Sequence, residues 1–244
     1  MRAGAQERMS AEAQVRRGPG ISPIGHELLD DPAADDDAVV RSLRNVARAN
    51  VLFGGHAAVR AGLGMLLRHV RGTITVLDVG TGAADIPRMA RAWGARHGLV
   101  IQAFGLERHR AAARLARDTG LPLVVACGSA LPVRDGGVDI VVLSQVLHHL
   151  DQASSIAFLE AAGRAARRGV VVAELGRSRV AAAGFRLAGR VLGFDRHTRD
   201  DGATSLRRGY SAAELEQLIR RAGGAPQVRR LAGIRLVAVW PTGS

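Results

Sequence analysis

The chain contains no lysine: all 34 basic residues among its 244 are arginine. That absence removes Schiff-base chemistry, a P-loop lysine and a lysine general base. Cysteine is almost as scarce. With Cys127 alone, the chain can build neither a disulfide framework nor a cysteine-based metal cluster. Aromatic residues are 3%, too few for the base-stacking platforms that usually hold single-stranded nucleic acid. No apolar run reaches the roughly 18–20 residues that a membrane span needs. The start, MRAGAQERMS, lacks the apolar core of a signal peptide. These absences point to a soluble cytoplasmic protein with no membrane partner. What is present is core: 47% hydrophobic content supports a sizeable interior and excludes wholesale disorder.

Charge is uneven along the chain. Residues 1–40 set four arginines against eight acids, whereas residues 164–244 set sixteen against six. A basic second half invites a nucleic-acid reading. However, arginine must supply every ordinary solvated positive charge here. Many arginines also fall at helix-surface spacing, as do Arg164, Arg167 and Arg168, or Arg220 and Arg221. A solvated face is therefore preferred, and nucleic acid is disfavoured as a partner.

Residues 1–37, rich in Ala, Gly, Arg and Asp, read as a mobile arm, and 38–244 as a single domain. From 38 to 70 apolar residues recur three and four apart, which predicts a cap of two helices broken near Gly54-Gly55. Next, strand-like runs at 74–80, 99–107, 122–127, 138–144 and 170–175 alternate with alanine-rich helical stretches. These include 84–96, 108–118 and 153–167. Such alternation predicts a parallel α/β sheet with helices on both faces. Residues 176–210 interrupt it with one helix, 180–192, and a polar stretch, and read as a lid insertion. A helix over 211–222 follows, with Ser211 and Glu214 as a capping box. Two strands close the chain near 227–232 and 234–240.

The most informative segment is VLDVGTGAAD, residues 76–85. A buried strand delivers Asp78, Gly80 and Gly82 turn tightly, and a helix follows at once. Glycine is needed where a ligand lies against the backbone or φ is positive. The second strand ends in Glu107, where an acid can accept both hydroxyls of a ribose. A dinucleotide site would want a third glycine where Asp85 stands, and an acid there repels a pyrophosphate. Asp78 suits a cationic ligand, which favours S-adenosylmethionine (SAM) over NAD.

The sequence here resembles the class I SAM-dependent methyltransferases over approximately residues 70–175. The resemblance is carried by Asp78-Val79-Gly80-Thr81-Gly82, Gly105-Leu106-Glu107, Gly128-Ser129-Ala130-Leu131-Pro132, and Asp139-Ile140-Val141-Val142 leading to His148-His149-Leu150. It implies a Rossmann-like, seven-stranded, mostly parallel sheet with an antiparallel last strand. It also implies SAM as cofactor, with S-adenosylhomocysteine as product. The cofactor residues so implied are Asp78, Gly80, Thr81, Gly82, Asp85, Glu107, Arg108, Gly128, Ser129, Ala130, Leu131 and Ser144. Ser129 departs from the family's usual aspartate, so its contact with the adenine amine lacks charge assistance. SLRNVARAN before the glycine turn and TSLRRGYSAAELEQLIRRAGG after the insertion resemble bacterial small-molecule methyltransferases. Relatives of that kind serve polyketide or quinone pathways, so a phenolic acceptor is implied.

Methyl transfer needs alignment and an acceptor with a free lone pair. For a phenol, neutral histidine is a suitable base. His148 and His149 follow the fourth strand, at the sheet edge where ligands bind in this fold class, and are the catalytic candidates. A stabilising role in the loop before Asp151 stands beside that reading. No metal is expected, because adjacent histidines lack a third ligand. His56, Glu174, His197 and Tyr210 are candidate acceptor contacts; Arg207 and Arg208 could pair with an acidic acceptor or with acids of the lid. The expected function is O-methylation of a small aromatic or polyketide-like hydroxyl compound. The alternatives are an RNA methyltransferase, favoured by the basic C-terminal part, and a non-catalytic SAM-fold binding protein, favoured by Ser129. Oligomeric state is left open, a homodimer included.

Overall fold

The computed structural model describes residue 22 and residues 24–31, 33–126 and 131–243. Seven strands form one sheet: β1 (Gly72–Val79), β2 (Leu99–Glu107), β3 (Leu123–Val125), β4 (Val138–Ser144), β5 (Ala166–Leu175), β6 (Gln227–Leu231) and β7 (Arg235–Pro241). Their order is β3-β2-β1-β4-β5-β7-β6, with β7 antiparallel to both neighbours and every other pairing parallel. The predicted class and the antiparallel last strand are both present. Strand order reverses between β1 and β4, so a crevice opens beyond their carboxyl ends, where α/β sheets take ligands.

Helices cover both faces because the central strands are apolar on both sides, as VDIVVLS and VVVAEL show. One face buries α2 (Gly55–Leu67) and α3 (Asp85–Arg96) through Val59, Leu63, Ile86 and Trp93. The other buries α5 (Gln152–Ala165) and α8 (Ala212–Arg221) through Phe158, Leu159, Leu215 and Ile219. The Ser211–Glu214 capping box is formed. At the crevice end, α1 (Asp36–Leu52) packs on α4 (Arg110–Arg117) through Val39, Leu43, Ala111 and Ala112.

Three local expectations change. The polar stretch after residue 195 is a helix, α7 (Arg196–Arg208), packed against α6 (Arg179–Val191). Asp195 caps it, accepting from Thr198 N at 3.0 Å; its buried side carries Thr198, Thr204, Ser205 and Arg208 beside Ala203 and Leu206. A face that polar leaves no hydrophobic period to read. Second, β5 begins at Ala166, directly after α5. Arg167 and Arg168 are thus strand residues, and both bind Asp139 Oδ1, at 2.9 Å each. Third, β3 is confined to Leu123–Val125, and Cys127 lies outside the described residues.

The expected arm is described from residue 22 on, and there it is tied down. Ser22 N donates to His149 O at 2.8 Å. Arg208, fully buried on α7, donates to the carbonyls of Ile24 (2.6 Å) and Gly25 (2.9 Å) and to Asp30 Oδ2 (2.8 Å). Its Nη1 lies 3.0 Å from Glu27 Oε1, a close ion pair without hydrogen-bond alignment.

Candidate active site

The glycine turn after β1 is held by backbone bonds. The N–H groups of Gly80 and Thr81 both donate to Leu106 O, at 2.8 and 3.1 Å. Gly80 has φ +75°, and a Cβ there would come within 2.8 Å of Val146. Only glycine takes that conformation and closeness without strain. Ala84 then caps α3 at φ 56°.

Glu107 fastens this turn to β2. Its Oε2 accepts from Gly82 N at 3.0 Å, and Oε1 accepts from Arg108 N (2.8 Å) and His109 N (2.9 Å). Oε2, with one donor, keeps a further acceptor site. The acid therefore positions the turn as well as facing the crevice.

Asp78 is buried at the end of β1, and its Oδ1 has no hydrogen-bond partner among the described residues. Burial pushes its carboxyl up to about 8 against the opposing pull of the Thr81 side chain, with Asp85 and Glu107 as nearby like charges adding to the rise. Thr81 Oγ1 and Ser144 Oγ are similarly unpartnered. Three orphaned polar groups around one turn are a cost that a polar, cationic ligand would relieve. The glycine cradle and these groups fit the amino-acid portion of SAM.

Asp85 is committed differently. Its Oδ2 accepts from Asn50 Nδ2 at 3.0 Å and lies 2.9 Å from His56 Nε2. It also lines the large cavity, so it presents a bound carboxylate to the ligand space. Arg108 lines the smaller cavity and donates to Leu29 O at 2.5 Å. Gly128, Ser129 and Ala130 lie outside the described residues; Leu131 packs on the core cluster that contains Phe158.

Two adjoining cavities occupy the crevice. The smaller, about 140 Å³, is walled by Leu106, Glu107, Ala112, Val146, Leu150 and Phe158. Its apolar sides beyond Glu107 suit a flat heteroaromatic base. The larger, about 700 Å³, reaches from Asp78, Thr81 and Ser144 out to Phe53, Phe185, Leu206 and Ile234. Leu29, Leu43 and His149 line both.

Both histidines face the larger cavity, each gripped from behind by a carboxylate. His148 Nδ1 lies 2.8 Å from Glu174 Oε2, and His149 Nδ1 lies 2.9 Å from Asp30 Oδ1. Glu174 is fully buried and also accepts from Leu147 N at 2.8 Å. Burial opposes its ionisation, yet His148 and the Leu147 and Leu175 N–H groups hold its carboxyl below the usual range. Asp30 is likewise held low against burial, by His149 and Arg208. An ionised carboxylate only accepts, so Nδ1–H of His148 is the donor and Nε2 is left as the basic nitrogen.

Glu27, His148 and His149 each offer one donor atom within 4.8 Å of the others. Glu27 is the third group that the histidine pair lacked in sequence. Its carboxylate is already engaged by Arg208 and by Ser205 Oγ (2.9 Å); burial raises it.

The expected acceptor contacts are placed mostly behind the cavity wall. His56 is turned to Asp85. Glu174 serves His148. Tyr210 donates its hydroxyl to Leu147 O at 3.0 Å, and burial raises its pKa well above the phenol range. His197 is exposed on α7. Sequence reasoning missed Glu27, Asp30, Asn50 and Arg235. Arg235 lines the large cavity, with Nε bonded to Phe53 O at 2.8 Å. Burial lowers its pKa to about 10, against the opposing pull of Glu174.

Residues 77–173 match a family model described as Methyltransferase domain. No curated protein matches the sequence. Among solved structures, a SAM-dependent methyltransferase from Aquifex aeolicus is similar at TM-score 0.58 and 16% identity, over 85% of this chain and 98% of that one. Human N-acetylserotonin methyltransferase in complex with SAM is similar at TM-score 0.62 and 13% identity, over 90% and 60%. PigF with SAH is similar at 0.59 and 19%, over 88% and 62%. The domain match and the strand order agree: residues 77–173 carry a match to a methyltransferase domain, on a seven-stranded sheet with the fold of the SAM-dependent methyltransferase from Aquifex aeolicus.

Proposed function

We propose that the enzyme methylates a hydroxyl of a small aromatic or polyketide-like compound, with His148 as the general base. The observation that carries this reading is the buried His148–Glu174 pair at the wall of an apolar cavity. Bound SAM supplies the electrophilic methyl group. Asp78, Thr81 and the Gly80–Gly82 backbone would hold its amino-acid end, Glu107 its ribose, and the slot beside Phe158 its base. The chain's other work is to bind the acceptor, exclude water and hold a proton at His148 Nε2.

His148 is preferred over His149 because their carboxylates differ. Asp30 is already paired with Arg208, which offsets its charge. Glu174 has no direct ion pair with an arginine among the described residues, so its charge is available to stabilise a protonated His148. Phe53 and Phe185, in edge contact at 5.6 Å, suit a planar acceptor. Arg235 on the same wall suits an acceptor that carries a carbonyl or becomes phenolate. Support also comes from neighbours whose names include N-acetylserotonin methyltransferase.

The test is SAM turnover over a panel of phenols, hydroxyquinones and polyketide-like hydroxy compounds. Wild type should methylate at least one, and His148→Gln should lose its turnover while still binding SAM. Methylation of RNA with none of the panel turned over would reject the reading.

A further inference from the structure

The outer face of α6 has an organisation that folding does not require. At about 100° per residue around a helix, Arg179, Arg186 and Arg190 form one row. Val180, Leu187 and Val191 form the next. Beyond them come Ala181, Gly184, Phe185 and Ala188, which line the large cavity. The middle row is open: Val180 is 84% exposed, Leu187 65% and Val191 83%. The helix, RVAAAGFRLAGRV, carries no acid. Arg186 pairs with Asp200 at 3.2 Å, whereas Arg179 and Arg190 make no ion pair among the described residues.

The end of α1 adds to this exposed apolar surface. Val51 and Leu52 end α1 at 61% and 55% exposure, and Leu52 also lines the cavity. They precede Phe53, whose ring meets Phe185 of α6. Exposed apolar side chains therefore stand on two elements at the cavity, and those of α6 are flanked by a row of arginines. A solvated helix face would place arginine and glutamate where valine and leucine stand.

We infer that α6, with the end of α1, is a docking surface for an anionic lipid bilayer, and that it sets the cavity against the membrane to receive a lipophilic acceptor. Val180, Leu187 and Val191 would enter the boundary between headgroups and acyl chains, and Arg179 and Arg190 would face the anionic headgroups. Apolar side chains rimmed by cations match such a surface, and the missing acids remove repulsion from it. No helix among the described residues is long and apolar enough to cross a membrane, and none is needed for attachment in the plane of the surface. Docking by itself does not depend on the acceptor assignment; delivery of a lipophilic acceptor rests on it.

The experiment is co-sedimentation of the full chain with vesicles, without SAM or acceptor. One set contains phosphatidylglycerol in phosphatidylcholine, and the other phosphatidylcholine alone. Binding should be at least tenfold tighter to the anionic vesicles. The variant V180S/L187S/V191S keeps every charge and should lose at least tenfold in binding while retaining SAM affinity. R179Q/R190Q should lose most of the preference for anionic lipid. Equal binding of wild type to both vesicle types, or unchanged binding of the serine variant, overturns the inference. The second result would assign the attachment to arginines elsewhere. Because no methyl transfer is measured, failure here leaves the reaction assignment standing, and failure of His148→Gln to lose turnover leaves this one standing.

Discussion

On the donor side of the crevice, backbone groups do most of the work: Gly80, Thr81, Gly82, Arg108 and His109 present N–H groups from one strand–turn–helix unit and its neighbour strand. On the acceptor side, side chains do it. Glu27, Asp30, His148, His149, Glu174 and Arg208 come from four separated stretches and meet in one buried polar network. A backbone-built site persists as long as its strands pair. A side-chain network of charges is costly to break at any single member.

The largest effect expected is on the acceptor side. His148→Gln, which keeps an N–H for Glu174, should lower turnover about 10²–10⁴-fold. Its SAM affinity should stay close to wild type, and the acidic limb of the pH–rate profile should vanish. If His149→Gln produced that loss instead, the pairing of Asp30 with Arg208 would not have silenced the second histidine.

Arg208→Met asks whether the same network also holds the fold. It leaves Glu27 and Asp30 buried without their cation and should cost about 3–5 kcal/mol. For a chain of this size that lowers Tm by roughly 6–20 °C. A loss under about 1 kcal/mol in urea melts would mean that residues 24–31 are held by something other than the clamp.

Glu107→Ala addresses the donor side. Its three N–H donors can turn to water, but the ribose loses charge-assisted acceptors. SAM affinity should weaken at least about tenfold by calorimetry, with the fold retained. Unchanged affinity would remove the ribose from the end of β2.

The last effect expected is a slope, small at any one step of pH. Asp78 has a raised folded pKa of about 8, so between that value and its ordinary one near 4 the folded apo protein keeps a proton that the unfolded chain releases. Stability of the apo protein should therefore fall as pH rises through this window, by at most about 1.4 kcal/mol per pH unit. Asp78→Asn should flatten that fall in urea melts at pH 5 to 8. An identical slope in the variant would place the proton elsewhere.

The same division explains what could be read from sequence. VLDVGTGAAD, the acid at Glu107 and the alternating apolar runs are local patterns, and each maps onto a local structure. The boundaries of β2 and β4 follow directly from β-branched runs between polar stops. The acceptor side has no such signature. Glu27 meets Arg208 across 181 positions, and neither has a spacing that marks it. Helix α7 was invisible for the same reason: Thr198, Ser205 and Arg208 are buried by hydrogen bonds and ion pairs, and hydropathy does not record such burial. His148 was visible as a candidate, but its partner Glu174 read as an acceptor contact, because nothing in sequence says that β5 runs beside β4.

Leu29 stands in both cavities, as does Leu43. These two side chains are a party wall between the slot beside Phe158 and the larger cavity. Trimming either would widen the tolerance for bulky acceptors and, by the same stroke, loosen the seating of the methyl donor. An engineer who wants a broader acceptor range without slower turnover should leave that wall alone and work on the far side, at Phe53, Phe185 and Ile234, which line the larger cavity only.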